Sequence, residues 1–417
     1  MFLGALVSNV AALFYSFAVS FYILEITNNN ALIQGLYLAI GGVTFCIVTL
    51  FGGVISDRFN KAKIMYICDY LKGGIIVLFT FLLIFVIKSI EWKIASLFIV
   101  TVLLNAIAGI FTPASNALLP QIVEEKQFQQ AQSYFSVLNS FQSIVGVILA
   151  GILYSVVSIN TLFMIVGGFY IVSAISEMFI KYNSNYEKRE EKLTAKAVFT
   201  DIKIGFKYLI SIKAIFALII CILFINFFFS PIFDNFVPYF IATDVAGTNY
   251  LFSEFMEPEM WSSFFSVAVG LGSLIMGIIF STLKQREKCN TLVRWSMITI
   301  SIMMIVMTIL YILFKNNYID INVLLISIIA ILFIIGVTLI LINVPSITAM
   351  MKLVDKDKYG KISSVTNIGS QGLIPLSMFL GGIALNYIGS IGLLSICAGG
   401  LLITSLILFY IKPVRDI

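Results

Sequence analysis

Long apolar stretches alternate with short polar connections along almost the whole chain. Twelve of them, at residues 2–25, 32–56, 64–87, 94–118, 132–157, 160–181, 212–241, 260–282, 292–314, 321–349, 362–387 and 390–411, reach the roughly 20 residues that a helix needs to cross the hydrocarbon core of a bilayer. The pattern predicts an all-α membrane protein with twelve transmembrane helices. The polar connections carry the orientation. If the first faces outside, 22 of the 26 basic residues fall in inward connections or termini: Arg58, Lys61, Lys63, Lys126, eight between 181 and 213, Lys284, Arg286, Lys288, Arg294, Lys352, Lys356, Lys358, Lys361, Lys412 and Arg415. Lys88, Lys93 and Lys315 lie outside, and Lys72 lies within the third stretch. The positive-inside rule then predicts that both termini are cytoplasmic.

Composition narrows the class further. An apolar content of 60% against 11% charged residues leaves no room for an ordinary soluble domain. The net charge of +5 sits mostly in the connections, so it argues for orientation rather than for nucleic acid. Cys46, Cys68, Cys221, Cys289 and Cys397 are scattered without ligand spacing, and the chain has no His. A disulfide framework, a metal site and a histidine proton shuttle are therefore not expected. No nucleotide-binding motif, catalytic Ser or Cys constellation or paired carboxylates stand out, which argues against direct ATP coupling, a bound cofactor or an enzyme. The apolar run from Phe2 lacks a basic leader region and is too long for a cleavable signal, so it reads as the first span.

The chain divides in two. Residues 1–181 form a first six-helix bundle, 182–211 a charged cytoplasmic linker ending in an amphipathic stretch, and 212–417 a second six-helix bundle. The halves resemble each other: the stretch 111–153 can be laid on 342–384, matching a proline in the fourth and tenth spans, an acidic connection, and the small pairs Ala150–Gly151 and Gly381–Gly382. Parallel six-helix repeats are a transporter architecture in which two pseudo-symmetric bundles rock about a central site.

The connection between the second and third spans reads GGVISDRFNKAK, residues 52–63. Gly53, Asp57, Arg58, Lys61 and Lys63 within it resemble the loop motif G-x-x-x-D-R-x-G-R-K/R-x of the major facilitator superfamily. Asp57 can accept hydrogen bonds from the exposed N–H groups of a helix N-terminus, and the three cations can pair with acidic groups. The resemblance implies a conformational latch that holds Asp57 against the eleventh helix, which here begins near residues 362–364, and so biases the alternating states. The equivalent stretch of the second half, 276–293, keeps Gly277 and a basic cluster but has Thr282 or a neighbour where the aspartate would stand.

Finer likeness points to a branch. The stretches SNVAALFYSFAVSFYILEIT, KIMYICDYLKG and FTPASNALLPQIVEEKQFQQAQSY are similar to the drug-efflux branch that contains macrolide exporters and the enterobactin exporter. That resemblance implies a secondary active transporter of a bacterial inner membrane, acting as a monomer among membrane lipids. It would export an amphiphilic small molecule by proton antiport. The usual proline of the fifth helix is replaced by Val147, although Gly146 and Gly151 persist, consistent with close helix packing on small residues. The arginine that proton-coupled relatives often carry in the fourth helix is missing from LLNAIAGIF, residues 103–111. A lipid or lysolipid flippase and a non-transporting membrane sensor on the same scaffold are the competing readings.

Charges inside the membrane are costly and are functional candidates by default. Asp69 and Lys72 stand at i, i+3 spacing and read as a structural pair linked to the loop motif, with a role in coupling or cation binding as the other reading. Glu177 with Lys181 reads as a solvated ion pair at a helix end. Glu25 and Asp234, without a basic neighbour in sequence, are candidates for proton exchange or for binding a cationic substrate. Tyr15, Asn139, Gln142, Asn226, Phe227, Asn343, Asn367 and Gln371 are candidates for the substrate cavity, whose few amides in apolar surroundings suit a bulky amphiphile. The outer connection 241–263 carries Asp244, Glu254, Glu257 and Glu259 and no cation. It reads either as a lure for cationic solutes at the outer mouth or as a solvated acidic loop, with Phe252, Phe255, Met256 and Trp261 at the lipid interface.

Overall fold

The computed structural model describes residues 2–122, 142–180, 210, 212–282, 290–353 and 369–410, with a few side chains inside these ranges, including those of Gly53, Asp57 and Arg58, outside the description. Among the described residues ten helices are long and apolar enough to cross a membrane. One of these, Gly369–Leu408, has 40 residues, about twice what a single crossing of the hydrocarbon core requires. It covers the eleventh and twelfth predicted spans and is broken at Gly389. The fifth predicted span is represented by the shorter apolar helix Ile144–Val156. A part of each of the twelve predicted spans is thus helical.

The chain forms two compact units, Met1–Thr194 and Ala195–Ile417. The first contains α1 (Phe2–Ile26), α2 (Ala31–Arg58), α3 (Lys61–Phe85), α4 (Ile90–Ile122), α5 (Val147–Val156) and α6 (Ile159–Met178). The second contains α7 (Lys213–Pro231), α8 (Met260–Thr282), α9 (Asn290–Lys315), α10 (Ile321–Leu353) and α11 (Ile374–Tyr410). The predicted linker and amphipathic stretch, 182–211, lie outside the described residues except for Ile210.

Local chemistry explains the boundaries. Asn28 and Asn29 both adopt positive φ, 52° and 61°, a conformation that Asn tolerates better than most residues. They reverse the chain within a few residues of α1. Asn30 then caps α2 by accepting from the amides of Leu32 and Ile33 at 3.1 and 3.2 Å, and Asn60 caps α3 by accepting from Lys63 N at 3.1 Å. Ser158 does the same for α6 through Thr161 N. Each cap satisfies amides that have no partner within the helix.

Gly389 has φ 72° and ψ −179°, a region that is essentially glycine-only and costs other residues about 1–3 kcal/mol. A Cβ there would meet nothing within 4 Å, so the penalty of a side chain is purely backbone strain. Gly389→Ala is expected to destabilise the protein by about 1–3 kcal/mol in detergent unfolding. Gly399→Ala, equally open but helical, is expected to stabilise by up to about 1 kcal/mol.

Within each unit the helices follow the same order of neighbours. In the first, α2 packs on α4, α3 on α4 and α6, and α1 on α6 and α5; in the second, α8 packs on α10, α9 on α10 and α11, and α7 on α11. The pairs α2–α4 and α8–α10 make the closest approaches. A Cβ on Gly52 would lie 2.2 Å from the carbonyl oxygen of Gly109; one on Gly272 would lie 2.2 Å from that of Phe333, and one on Gly336 2.2 Å from that of Val269. Without water to drive helices together, such small-residue contacts give membrane helices their packing. Gly146, expected to serve close packing, does not: its Cβ would stand 3.6 Å from Leu13, an ordinary contact. At the position where the resemblance led us to expect proline, Val147 follows a single π-helical turn, Gln142–Gly146, so the helix is distorted at that point without one.

The core of the first unit is aromatic and aliphatic, built from residues such as Phe14, Tyr15, Phe79, Leu97, Phe163 and Tyr170. Large apolar side chains of mid-helix positions, among them Leu78, Val172, Ile278 and Ile403, are exposed, as expected of surfaces that face lipid rather than water.

Candidate functional site

The densest polar cluster lies inside the first unit, where α1, α3 and α6 meet. Asp69 of α3 is fully buried. Its Oδ1 accepts from Ser8 Oγ of α1 at 3.0 Å and from Lys72 Nζ at 3.1 Å, and its Oδ2 accepts from Ser173 Oγ of α6 at 2.7 Å. Ser173 Oγ also stands 2.8 Å from the carbonyl of Gly4 in α1. One carboxylate therefore ties three helices together. The Lys72 ammonium lies 4.1 Å from the ring centroid of Phe111 in α4 and 5.2 Å from that of Tyr170 in α6. A desolvated cation held by a carboxylate and two aromatic faces is compensated on every side. The expected i, i+3 pair is present; the serines and rings that complete it were not among the predicted residues.

Glu177, one helical turn beyond Ser173, corrects the expectation of a solvated helix-end pair. Its side chain is fully buried, and neither carboxyl oxygen has a hydrogen-bond partner among the described residues. The reason is the bare backbone of α1: a Cβ on Gly4 would come within 2.6 Å of Glu177 Cγ and 3.2 Å of Oε1. Only glycine leaves room for the carboxyl to turn inward. Lys181, its expected partner, lies outside the described residues.

In the second unit Asn226, Phe227 and Asp234 follow one another along α7 and its continuation, and Gln371 lies just before α11. Asn226 Nδ2 donates to the carbonyl of Ser370 at 2.9 Å, next to the exposed Gln371. Beyond Pro231, α7 continues through two π-helical turns, Ile232–Phe236 and Ile241–Val245, separated by Val237–Phe240. Asp234 sits in the first of these turns, half-buried. Phe227 and Phe228, and Phe229 and Phe233, form ring pairs with centroids 5.1 Å apart along the same face-to-end stretch. The neighbouring Asn235 is fully buried with both polar atoms unpartnered, and packs where Gly381 of α11 leaves space. Carboxyl, amides and rings concentrated at π turns, which are frequent at functional sites, make this the candidate substrate region.

The acidic outer connection is more structured than a solvated loop. Asp244 is not a loop charge: it ends the second π turn of α7, accepts from Tyr311 Oη at 2.6 Å and pairs with Lys315 of α9. The cation is 71 residues away in sequence, so the local tally of charges could not show it. Trp261, expected at the lipid interface, is buried against Tyr250, Phe264 and Phe265. Burial and the carboxylates of Glu257 and Glu259 raise the phenol of Tyr250 above its ordinary value, while its hydroxyl bonds to the Met256 carbonyl. Phe252 and Phe255 remain exposed.

The remaining predicted residues are distributed more widely. Gly53, Asp57 and Arg58 belong to the last two turns of α2. Lys61 is buried and Lys63 exposed at the start of α3, whose N-terminus is capped by Asn60, a residue not singled out in the sequence. Glu25 is exposed in the last turn of α1. Tyr15 is buried and packs on Phe163 with centroids 5.7 Å apart; Gln142 is half-buried at the start of its π turn, and Asn343 is exposed on α10. Asn139 and Asn367 lie outside the described residues. Among the described residues no group of three or more acidic or sulfur side chains is placed to hold a metal.

Comparison with known proteins agrees with this architecture. The family model for the Major Facilitator Superfamily matches residues 1–377. An uncharacterized MFS-type transporter of Bacillus subtilis, YfiS, is 26% identical over 157 residues, 38% of this chain and 36% of that protein. Macrolide efflux protein A of Streptococcus pyogenes is 27% identical over 165 residues, 39% of each chain. The match thus spans well under half of the length of these relatives. The crystal structure of a D-xylose-proton symporter superposes with a TM-score of 0.75 over 100% of this chain and 99% of that one, at 9% identity, a likeness of fold.

Proposed function

Because the chain belongs to the Major Facilitator Superfamily, a family of membrane transporters rather than enzymes, we propose that it exports amphiphilic small molecules by alternating access and proton antiport. The observation that carries this reading is Asp234: a carboxyl within a membrane helix, at a π turn, in a stretch that also carries the ring pair Phe229–Phe233. A carboxylate on a helix stretch rich in aromatic rings suits a cationic amphiphile, which offers a charge to the one and an apolar body to the other. Asn226 and Gln371 add a few orienting hydrogen bonds, too few for a sugar. The name of macrolide efflux protein A supports the outward direction. The asymmetry of basic residues supports a bacterial plasma membrane protein with both termini cytoplasmic, built of bundles 1–181 and 212–417 around the linker 182–211. In this reading Gly53, Asp57, Arg58, Lys61 and Lys63 act as the latch that biases one state.

The test is efflux of ethidium, a cationic amphiphilic dye, from proteoliposomes under an imposed pH gradient. Asp234→Asn is expected to weaken equilibrium ethidium binding at least tenfold. Asp57→Asn is expected to leave binding intact and slow turnover. Folded wild-type protein that moves no ethidium under a gradient would remove the efflux reading.

A further inference from the structure

The coupling reading leaves open which carboxyl carries the driving proton, and the cluster in the first unit narrows it. Asp69 has three donors of its own, one of them the Lys72 cation. Glu177 has none among the described residues. It is fully buried, both oxygens lack partners, and the backbone of Gly4 closes over it. With the Asp69–Lys72 pair already balanced, an ionised Glu177 would add an uncompensated negative charge inside the membrane, whereas the protonated acid adds none. The arrangement therefore accommodates this side chain with its proton on.

We propose that Glu177 is the proton-binding site that couples transport to the pH gradient, a deepening that rests on the antiport reading above. Proton binding converts the carboxylate to the acid and leaves the tie among Ser8, Asp69 and Ser173 undisturbed. Proton release places a second anion beside that tie, where it competes with Asp69 for Lys72 and loosens α1 and α6 from α3. The gate for the proton is thus the joint at which three helices are held. The groups acting on Glu177 are few. Among the described residues, Cys68, Asp69 and Lys72 of α3 bear on it electrostatically, and α1 brings the backbone of Gly4 against it.

Two measurements test this on the purified full chain. Infrared difference spectroscopy across a pH titration reads the carbonyl band of a protonated carboxyl without any substrate. That band is expected in wild type, absent in Glu177→Gln and retained in Asp234→Asn. In proteoliposomes, Glu177→Gln is expected to keep gradient-free ethidium exchange while losing at least tenfold of the acceleration by a pH gradient, and Glu177→Asp is expected to regain part of it. Glu254→Gln, on the exposed outer loop, serves as the unaffected control. A band that survives in Glu177→Gln overturns the assignment. A band that is lost while gradient-driven efflux persists makes Glu177 a structural acid and overturns its coupling role. If wild type shows the band but no gradient-driven ethidium movement, the antiport reading and the coupling role fall together, and only the site of proton binding stands.

Discussion

Replacing Lys72 by alanine is expected to be among the most damaging single changes in the first unit, with a loss of about 3–5 kcal/mol, the usual cost of stranding one member of a buried ion pair. The physical reason is the position of Asp69. Its carboxylate keeps the hydroxyls of Ser8 and Ser173 when Lys72 is gone, but these are dipoles, and no countercharge takes the place of the ammonium. The faces of Phe111 and Tyr170 would lose the cation they enclose. The double change Asp69→Asn with Lys72→Met removes both charges while keeping most of the volume, and is expected to recover most of the loss. Unfolding of the single and double variants in detergent reads the difference. Equal losses in both would mean that the side chains matter by volume and not by charge.

The second large effect lies between α2 and α4. Gly52→Ala would put a methyl group 2.2 Å from the Gly109 carbonyl oxygen and 3.0 Å from Ile110 Cα. Both are backbone atoms, so no side chain can rotate away, and the helices must part by about 1 Å to approach ordinary contact distances. A loss of about 1–3 kcal/mol or more is expected, together with slower transport if the pair moves as a rigid unit. Gly336→Ala, facing Val269, is expected to do the same in the second unit. Gly74→Ala and Gly168→Ala meet nothing within 4 Å and are expected to leave stability unchanged or slightly improved. Unfolding of the four variants side by side separates close packing from helix propensity.

What could be read from the sequence was whatever depends on neighbours along the chain. Span lengths follow from runs of apolar residues, and Asp69 with Lys72 follows from a spacing of three. The misreadings have one origin, contacts between residues far apart in sequence. Glu177 looked solvated because Lys181 follows one turn later, but the space it occupies is made by Gly4, at the other end of the unit. Asp244 looked like one of four unmatched charges because its partner lies on α9. Trp261 looked interfacial because tryptophan at the end of a span generally is, yet Tyr250 folds back over it. Ser8 and Ser173 carry no local signal at all; a serine becomes a donor to Asp69 only when three helices converge. The glycines of closest approach were equally silent. The small pairs that matched between the halves were noticed, while Gly52, Gly109, Gly272 and Gly336 needed the crossing of α2 with α4 and of α8 with α10.

The break in α11 bears on how the protein is made. The two apolar segments on either side of Gly389 are joined by a single residue, so there is no polar tether that could wait on one side of the bilayer while the first segment settles. With one non-helical residue between them, the two segments have no slack to settle independently, so their entry into the bilayer is expected to be coupled.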